Sequence, residues 1–186
     1  MKGWPRSPRR TRRRVLRVLL RALVVLVVLV VAVSARLFVW SPIDKPARAD
    51  AVVALGGDPG QHRAKKALSL AEAGYAPTAV VSLGGYPPAP CPHARRPVRI
   101  VCFRADPLDT RGEAEFVGRL AARRGWNRLI VVPERSQATR ARLLFERCTS
   151  ARLLMVPVSD PPSHLLFDVA YEWGALAKAL IVHRSC

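Results

Sequence analysis

Ala51-Val52-Val53-Ala54-Leu55, closed by Gly56-Gly57, is the stretch that decides the fold. Five consecutive apolar residues ended by glycines read as a short strand buried on both faces, since a half-exposed strand would alternate apolar and polar positions. A helical pattern follows over 62–73, with Ala64, Ala67, Leu68 and Ala71 on one face, and Gly74 and Pro77 stop it. The unit then repeats. Residues 78–83, 98–103, 129–132 and 153–158 read as further strands, and 110–124, 137–148 and 163–182 as helices. Thr110 with Glu113 three residues on has the form of a capping box. Phe116, Val117, Leu120 and Ala121 give that helix its apolar stripe. Leu166, Val169, Ala170, Trp173, Leu176 and Leu180 are the expected inward side of the last helix. Apolar strands alternating with helices specify an α/β domain, a mostly parallel sheet covered on both faces.

Outward from this domain, the N-terminus has a different character. The chain has 186 residues and a formal net charge of +18, from 31 Lys and Arg against 13 Asp and Glu. That length excludes a large multidomain enzyme, a disulfide miniprotein and a polytopic transporter. Lys2, Arg6, Arg9, Arg10, Arg12, Arg13, Arg14, Arg17 and Arg21 crowd the start, and no acid precedes Asp44. The remainder keeps 22 cations against 13 acids, an excess of nine.

After the basic run, residues 22–35 carry no charge. As a helix they cover about 21 Å, short of a hydrocarbon core of about 30 Å. Extended to 18–40, the segment spans one, with Arg21 and Arg36 snorkelling and Trp40 at an interface. The expected organisation is a basic cytoplasmic segment over 1–17, a transmembrane anchor over 18–40, a linker over 41–49 with Pro42 and Pro46, and the α/β domain over 50–186. A cleavable signal ending at Val33-Ser34-Ala35 fits the same pattern. Thr11 to Arg17 also resembles a twin-arginine signal, and a buried soluble helix is the third alternative. The cation imbalance puts the N-terminus in the cytoplasm and the domain outside a plasma membrane. Anionic lipid is the expected partner of the basic segment. No aromatic residue stands between Arg6 and Arg21, so nucleic acid is not an expected partner.

In open parallel sheets ligands bind beyond the carboxyl ends of the strands, near the point where strand order reverses. That directs attention to Gly56-Gly57-Asp58, Ser82 to Gly85, Asp109-Thr110 and Pro133 to Arg140. Glycines permit close backbone approach to a ligand, and Arg63, in the first turn of its helix, is placed either to face an anion or to meet solvent. His62, His93, His164 and His183 are scattered without metal spacing, so no metal is expected. No GxSxG elbow exists. Cys91 and Cys102 flank a Pro-rich excursion, and in an exported domain a disulfide between them would staple it. Cys148 and Cys186 are left open between a bridge and free thiols.

The ordered set Ala-Asp-Ala-Val-Val-Ala-Leu-Gly-Gly (49–57), Arg63, Ser-Leu-Gly-Gly (82–85), Asp-Thr-Arg-Gly-Glu-Ala (109–114) and Arg-Ala-Arg-Leu-Leu-Phe (140–145) resembles the YdcF/SanA/ElyC family of envelope proteins. The resemblance covers about residues 50–179. It implies a Rossmann-like α/β/α sandwich, three layers deep, tethered by one N-terminal helix and acting in cell-envelope or peptidoglycan-related processes. It also implies a shared pocket lined by Gly56, Gly57, Arg63, Ser82, Thr110, Glu113 and Arg140, to which Asp58, Gly84 and Gln137 are added by position. A phosphate- or glycan-containing small molecule is the ligand class expected. The cofactor stays unknown; a nucleotide-like one such as S-adenosylmethionine has been suggested for one cytoplasmic-type relative. One departure stands out. Where the family usually has Thr-Ser, two residues, then His after the fourth strand, this chain reads Pro133-Glu134-Arg135-Ser136-Gln137. An amide cannot take or give a proton near neutral pH as imidazole can.

Overall fold

The computed structural model describes residues 8–57, 61–85, 88, 90–95, 97–160 and 162–186. Five strands, β1 (Ala51–Ala54), β2 (Thr78–Ser82), β3 (Arg99–Phe103), β4 (Arg128–Val132) and β5 (Arg152–Met155), form one sheet in the order β3-β2-β1-β4-β5. Every pairing is parallel. The three inner strands are buried almost throughout, as uninterrupted apolar runs require, while the edge strands β3 and β5 begin at exposed Arg99 and Arg152. The fifth strand is shorter than its apolar run, and Val158 instead makes an isolated bridge to Glu134.

Helices cover both faces, giving the three-layer α/β/α architecture. Alternation along β1 sends Val52 and Ala54 to one core and Ala51 and Val53 to the other. The first core takes α2 (His62–Glu72) through Ala64, Ala67, Leu68 and Ala71. On the same side lies the Pro-rich connection from β2 to β3, pinned by the Cys91–Cys102 disulfide and by Arg95 N–H donating to Glu72 Oε1 at 2.5 Å. The second core takes α3 (Thr110–Arg124) and α4 (Ala138–Cys148). These two helices touch closely: a Cβ at Gly118 would stand 2.0 Å from the Cys148 carbonyl oxygen.

The last helix, α5 (Leu165–Ile181), rests on α4 and is turned about its axis from the expected orientation, with Leu176 inward as expected. Its buried residues are Glu172, Leu176 and Ala179, whereas Leu166, Trp173 and Leu180 are exposed. The physical reason is Arg140 on α4, whose guanidinium is buried and takes Glu172 as its partner. Arg147 binds the Ala179 and His183 carbonyls, and a Cys148–Cys186 disulfide fastens the C-terminus to the end of α4.

The expected capping box is also replaced. Asp109, extended at φ −150°, is the cap, and its carboxylate accepts from Gly112 N–H at 3.0 Å. Thr110 is already helical, which releases Glu113 for another partner.

The N-terminal helix α1 runs over Pro8–Ser34 and passes into one π-helical turn at Ala35–Val39. No break separates a basic segment from an anchor at residue 17. Together, Arg14–Val39 is long and apolar enough to cross a membrane, and its most apolar 18 residues, of mean hydropathy 2.9, are not buried by the domain. Residues 41–49 are not a loose linker. Ser41 Oγ donates to the Arg135 carbonyl, and Asp44 binds both the Met155 backbone and Arg142. Phe38 is wholly buried, and Thr139 donates to the Leu37 carbonyl.

Candidate functional site

Strand order reverses between β1 and β4, and beyond their carboxyl ends lies a cavity of about 430 Å³. Its walls are the turn after β1, the turn after β2, the start of α3, the loop into α4, and α5. Of the residues expected there, Gly56, Gly57, Arg63, Gly84, Thr110, Glu113, Gln137 and Arg140 line it. Ser82 faces a smaller recess behind the glycine turns. Asp58 lies outside the described residues.

The two glycine turns are built against each other. A Cβ at Gly56 would meet Gly84 N at 2.6 Å, and one at Gly84 would meet Gly57 N at 2.3 Å. Neither glycine is interchangeable with alanine without moving backbone. Gly57, at φ +80°, has Arg63 Nη2, 3.8 Å from where a Cβ would stand, as its nearest neighbour.

Glu113 closes the bottom of the cavity. It is 5% exposed, and its Oε1 accepts from Gly56 N–H at 2.6 Å. Burial raises its pKa above the usual carboxylate range, because the charged form loses its water. The Ser82 hydroxyl, the Gly56 N–H, Arg63 and Arg140 each oppose the rise without cancelling it. Ser82 Oγ approaches this carboxylate outside strict hydrogen-bond geometry, so it is a weak partner.

Gln137 stands where the resemblance would place a histidine, and both ends of its amide are engaged. Arg63 Nη1 donates to its Oε1 at 2.9 Å, and its Nε2 donates to Thr110 Oγ1 at 2.9 Å. The amide therefore fixes Arg63 relative to the start of α3. It moves no proton.

Arg140 departs from the anion-binding role expected of it. Nε and Nη2 donate to the two oxygens of Glu172 at 2.8 and 2.7 Å, a buried bidentate pair. Burial works against its charge, and Glu172 more than compensates, so its pKa is raised. Arg63 is thus the cation that faces the cavity most directly, with Glu134 3.9 Å from Nη2.

Sequence reasoning missed one wall. It is Phe167, Asp168, Tyr171 and Glu172 of α5; Asp109 and Glu134, in segments the strand ends had pointed to, also line the cavity. Among the described residues, Arg63 and Arg140 stand against the carboxyls of Asp109, Glu113, Glu134, Asp168 and Glu172. The lining is therefore mixed: Arg63, with Glu134 beside it and the Gly57 turn nearby, shares the cavity with the carboxyls and aromatic rings that α5 contributes. The signal that could have found this wall was Glu172 itself, an acid with Leu176 and Ala179 four and seven residues on, along one helix face.

Among the described residues no group of His, Cys, Asp and Glu is placed to hold a metal ion. A buried carboxyl of raised pKa beside a guanidinium, at the floor of a cleft, is the kind of group that serves as general acid or base. In comparison with known proteins, the chain matches no family model, no curated protein and no solved structure.

Proposed function

We propose that this protein is a membrane-tethered, YdcF-like α/β domain of the cell envelope that binds a small phosphate- or glycan-containing molecule in the cavity between β1 and β4. The observation that carries the reading is the mixed lining, a cation and a glycine turn together with carboxyls and aromatic rings. Arg63 with the Gly57 turn suits an anionic oxygen. The carboxylates of Asp109 and Asp168 suit sugar hydroxyl donors, and Phe167 and Tyr171 offer faces for a ring. Glu113 is the residue that would carry a proton in transfer or hydrolysis at a phosphate or sugar.

Topology is part of the proposal. With α1 across the plasma membrane, the arginines before residue 22 hold the N-terminus in the cytoplasm and meet anionic lipid there. The domain then lies outside, where the Cys91–Cys102 and Cys148–Cys186 disulfides are stable. A reporter fused after Cys186 that works only in the cytoplasm would reject this placement.

Thermal melting of the full chain in detergent, against nucleotides, lipid-linked phosphates and cell-wall fragments, tests the ligand. A true ligand at 100 times its Kd stabilises the fold by about 2.7 kcal/mol, and Arg63→Ala or Glu113→Ala removes the shift. A second reading, a non-catalytic envelope factor acting through a protein partner, draws support from Gln137, whose amide is hydrogen-bonded at both ends to the fold and carries no titratable proton. No shift with any compound, and unchanged cellular function in the Arg63→Ala, Glu113→Ala double variant, would decide for it.

A further inference from the structure

The outer face of α5 is the largest exposed apolar feature of the domain itself. Leu166 is 87% exposed, Phe167 71% and Ile181 66%, and Trp173 and Leu180 flank them. On a domain surrounded only by water such a continuous face marks a contact. The helix turns no acid outward: Glu172 is buried, and Asp168 is partly covered in the cavity wall. Lys178 is the cation on the exposed side.

Position identifies the occupant. Trp173 Nε1 donates to Ser34 Oγ at 2.9 Å, and its ring packs edge-on against Phe38 with centroids 5.5 Å apart. Ser34 lies inside the apolar stretch Arg14–Val39, five residues before its end, which is about 7 Å along a helix. The middle of α5 is thus held at the depth where α1 leaves the hydrocarbon. Trp173 and Tyr171 have the amphipathic rings favoured at that depth, and Lys178 is the charge type that anionic headgroups attract.

We propose that α5 is an interfacial helix whose apolar face lies in the headgroup layer of the same bilayer that α1 crosses, so that the domain is seated on the membrane at two places. This rests on α1 as a span and needs no particular ligand in the cavity, whose mouth Phe167 and Tyr171 border as well as the apolar face. A second copy of the chain on α5 is the competing occupant, and it would have to displace lipid from the layer into which Ser34 and Trp173 set the helix.

The test uses the full chain in vesicles of phosphatidylcholine and phosphatidylglycerol, with a photoreactive benzophenone amino acid placed singly at Phe167, at Ile181, or at Ser69 on the exposed side of α2 across the sheet. After irradiation, lipid adducts read by intact mass should exceed those at Ser69 by about tenfold or more at both α5 positions, as immersion to about 5–10 Å requires. Leu166→Glu with Ile181→Glu should reduce the adducts at the Phe167 probe several-fold while the melting temperature in detergent stays unchanged, since both side chains face outward. Retention of the protein at alkaline pH with equal adducts at all three positions overturns the interfacial helix alone. Crosslinked dimers at Phe167 and Ile181 in place of lipid adducts also overturn it. Release of the whole chain at alkaline pH removes the span and this inference together.

Discussion

Glu113 sits where the glycine turn after β1 meets the first turn of α3, and its proton equilibrium is set by that burial. Its folded pKa is raised, so the folded chain keeps this proton to a higher pH than the unfolded chain. The stability it contributes is complete below the ordinary glutamate value, about 4.3, and is lost as pH rises through the folded value. Glu113→Gln retains an oxygen for Gly56 N–H but cannot ionise. Its melting temperature relative to the native chain should therefore climb as the buffer goes from about pH 4 to about pH 7, and a flat difference across that range would reject the raised pKa. Gly56 and Gly84 illustrate what one residue type leaves unsaid. Their places at the strand ends were legible, because an apolar run closed by Gly-Gly has few alternatives. Their use was not: the space a side chain would fill is occupied by each other's backbone.

At the scale of elements, α5 and α4 are joined through one buried ion pair. Removing a single partner leaves an uncompensated charge, so Glu172→Leu should cost about 3–5 kcal/mol. Arg140→Met in the same chain should restore much of that loss, because two apolar side chains replace two desolvated ions. A double variant no more stable than Glu172→Leu alone, by denaturant titration, would show that the pair is not what fixes α5. The strands and the first four helices of the chain could be read from the sequence, since buried runs and amphipathic stripes record which side meets the core. Apart from Leu176, the inward side of α5 could not. It is apolar nearly all round, and periodicity alone then favours the side with the larger residues. The burial of Glu172 follows from an arginine on a different helix, which no local pattern encodes. The same gap hid the capping of α3, where Asp109 outcompetes Thr110 and Glu113 is drawn 57 residues away to Gly56.

At the scale of the whole molecule, the apolar helix and the domain are one body at their junction. Phe38→Ala would empty a fully buried site and weaken that junction by about 3–5 kcal/mol. Trypsin should then cut faster at Arg36 and Arg48 in the detergent-solubilised chain, and an unchanged cleavage rate would mean that Phe38 does not hold the segment down. The absence of slack between the helix end and β1 has a mechanical meaning. With α1 in a bilayer, the domain cannot tumble or extend away from the surface on a tether; its height and its heading are set by the tilt of the helix. The mouth of the cavity then sweeps a thin slab rather than a sphere, and for a ligand confined to the membrane its occupancy would follow the number of molecules per unit area. Freely diffusing molecules would meet it at a rate set by their bulk concentration, while those that travel in the plane would meet it repeatedly, arriving already oriented.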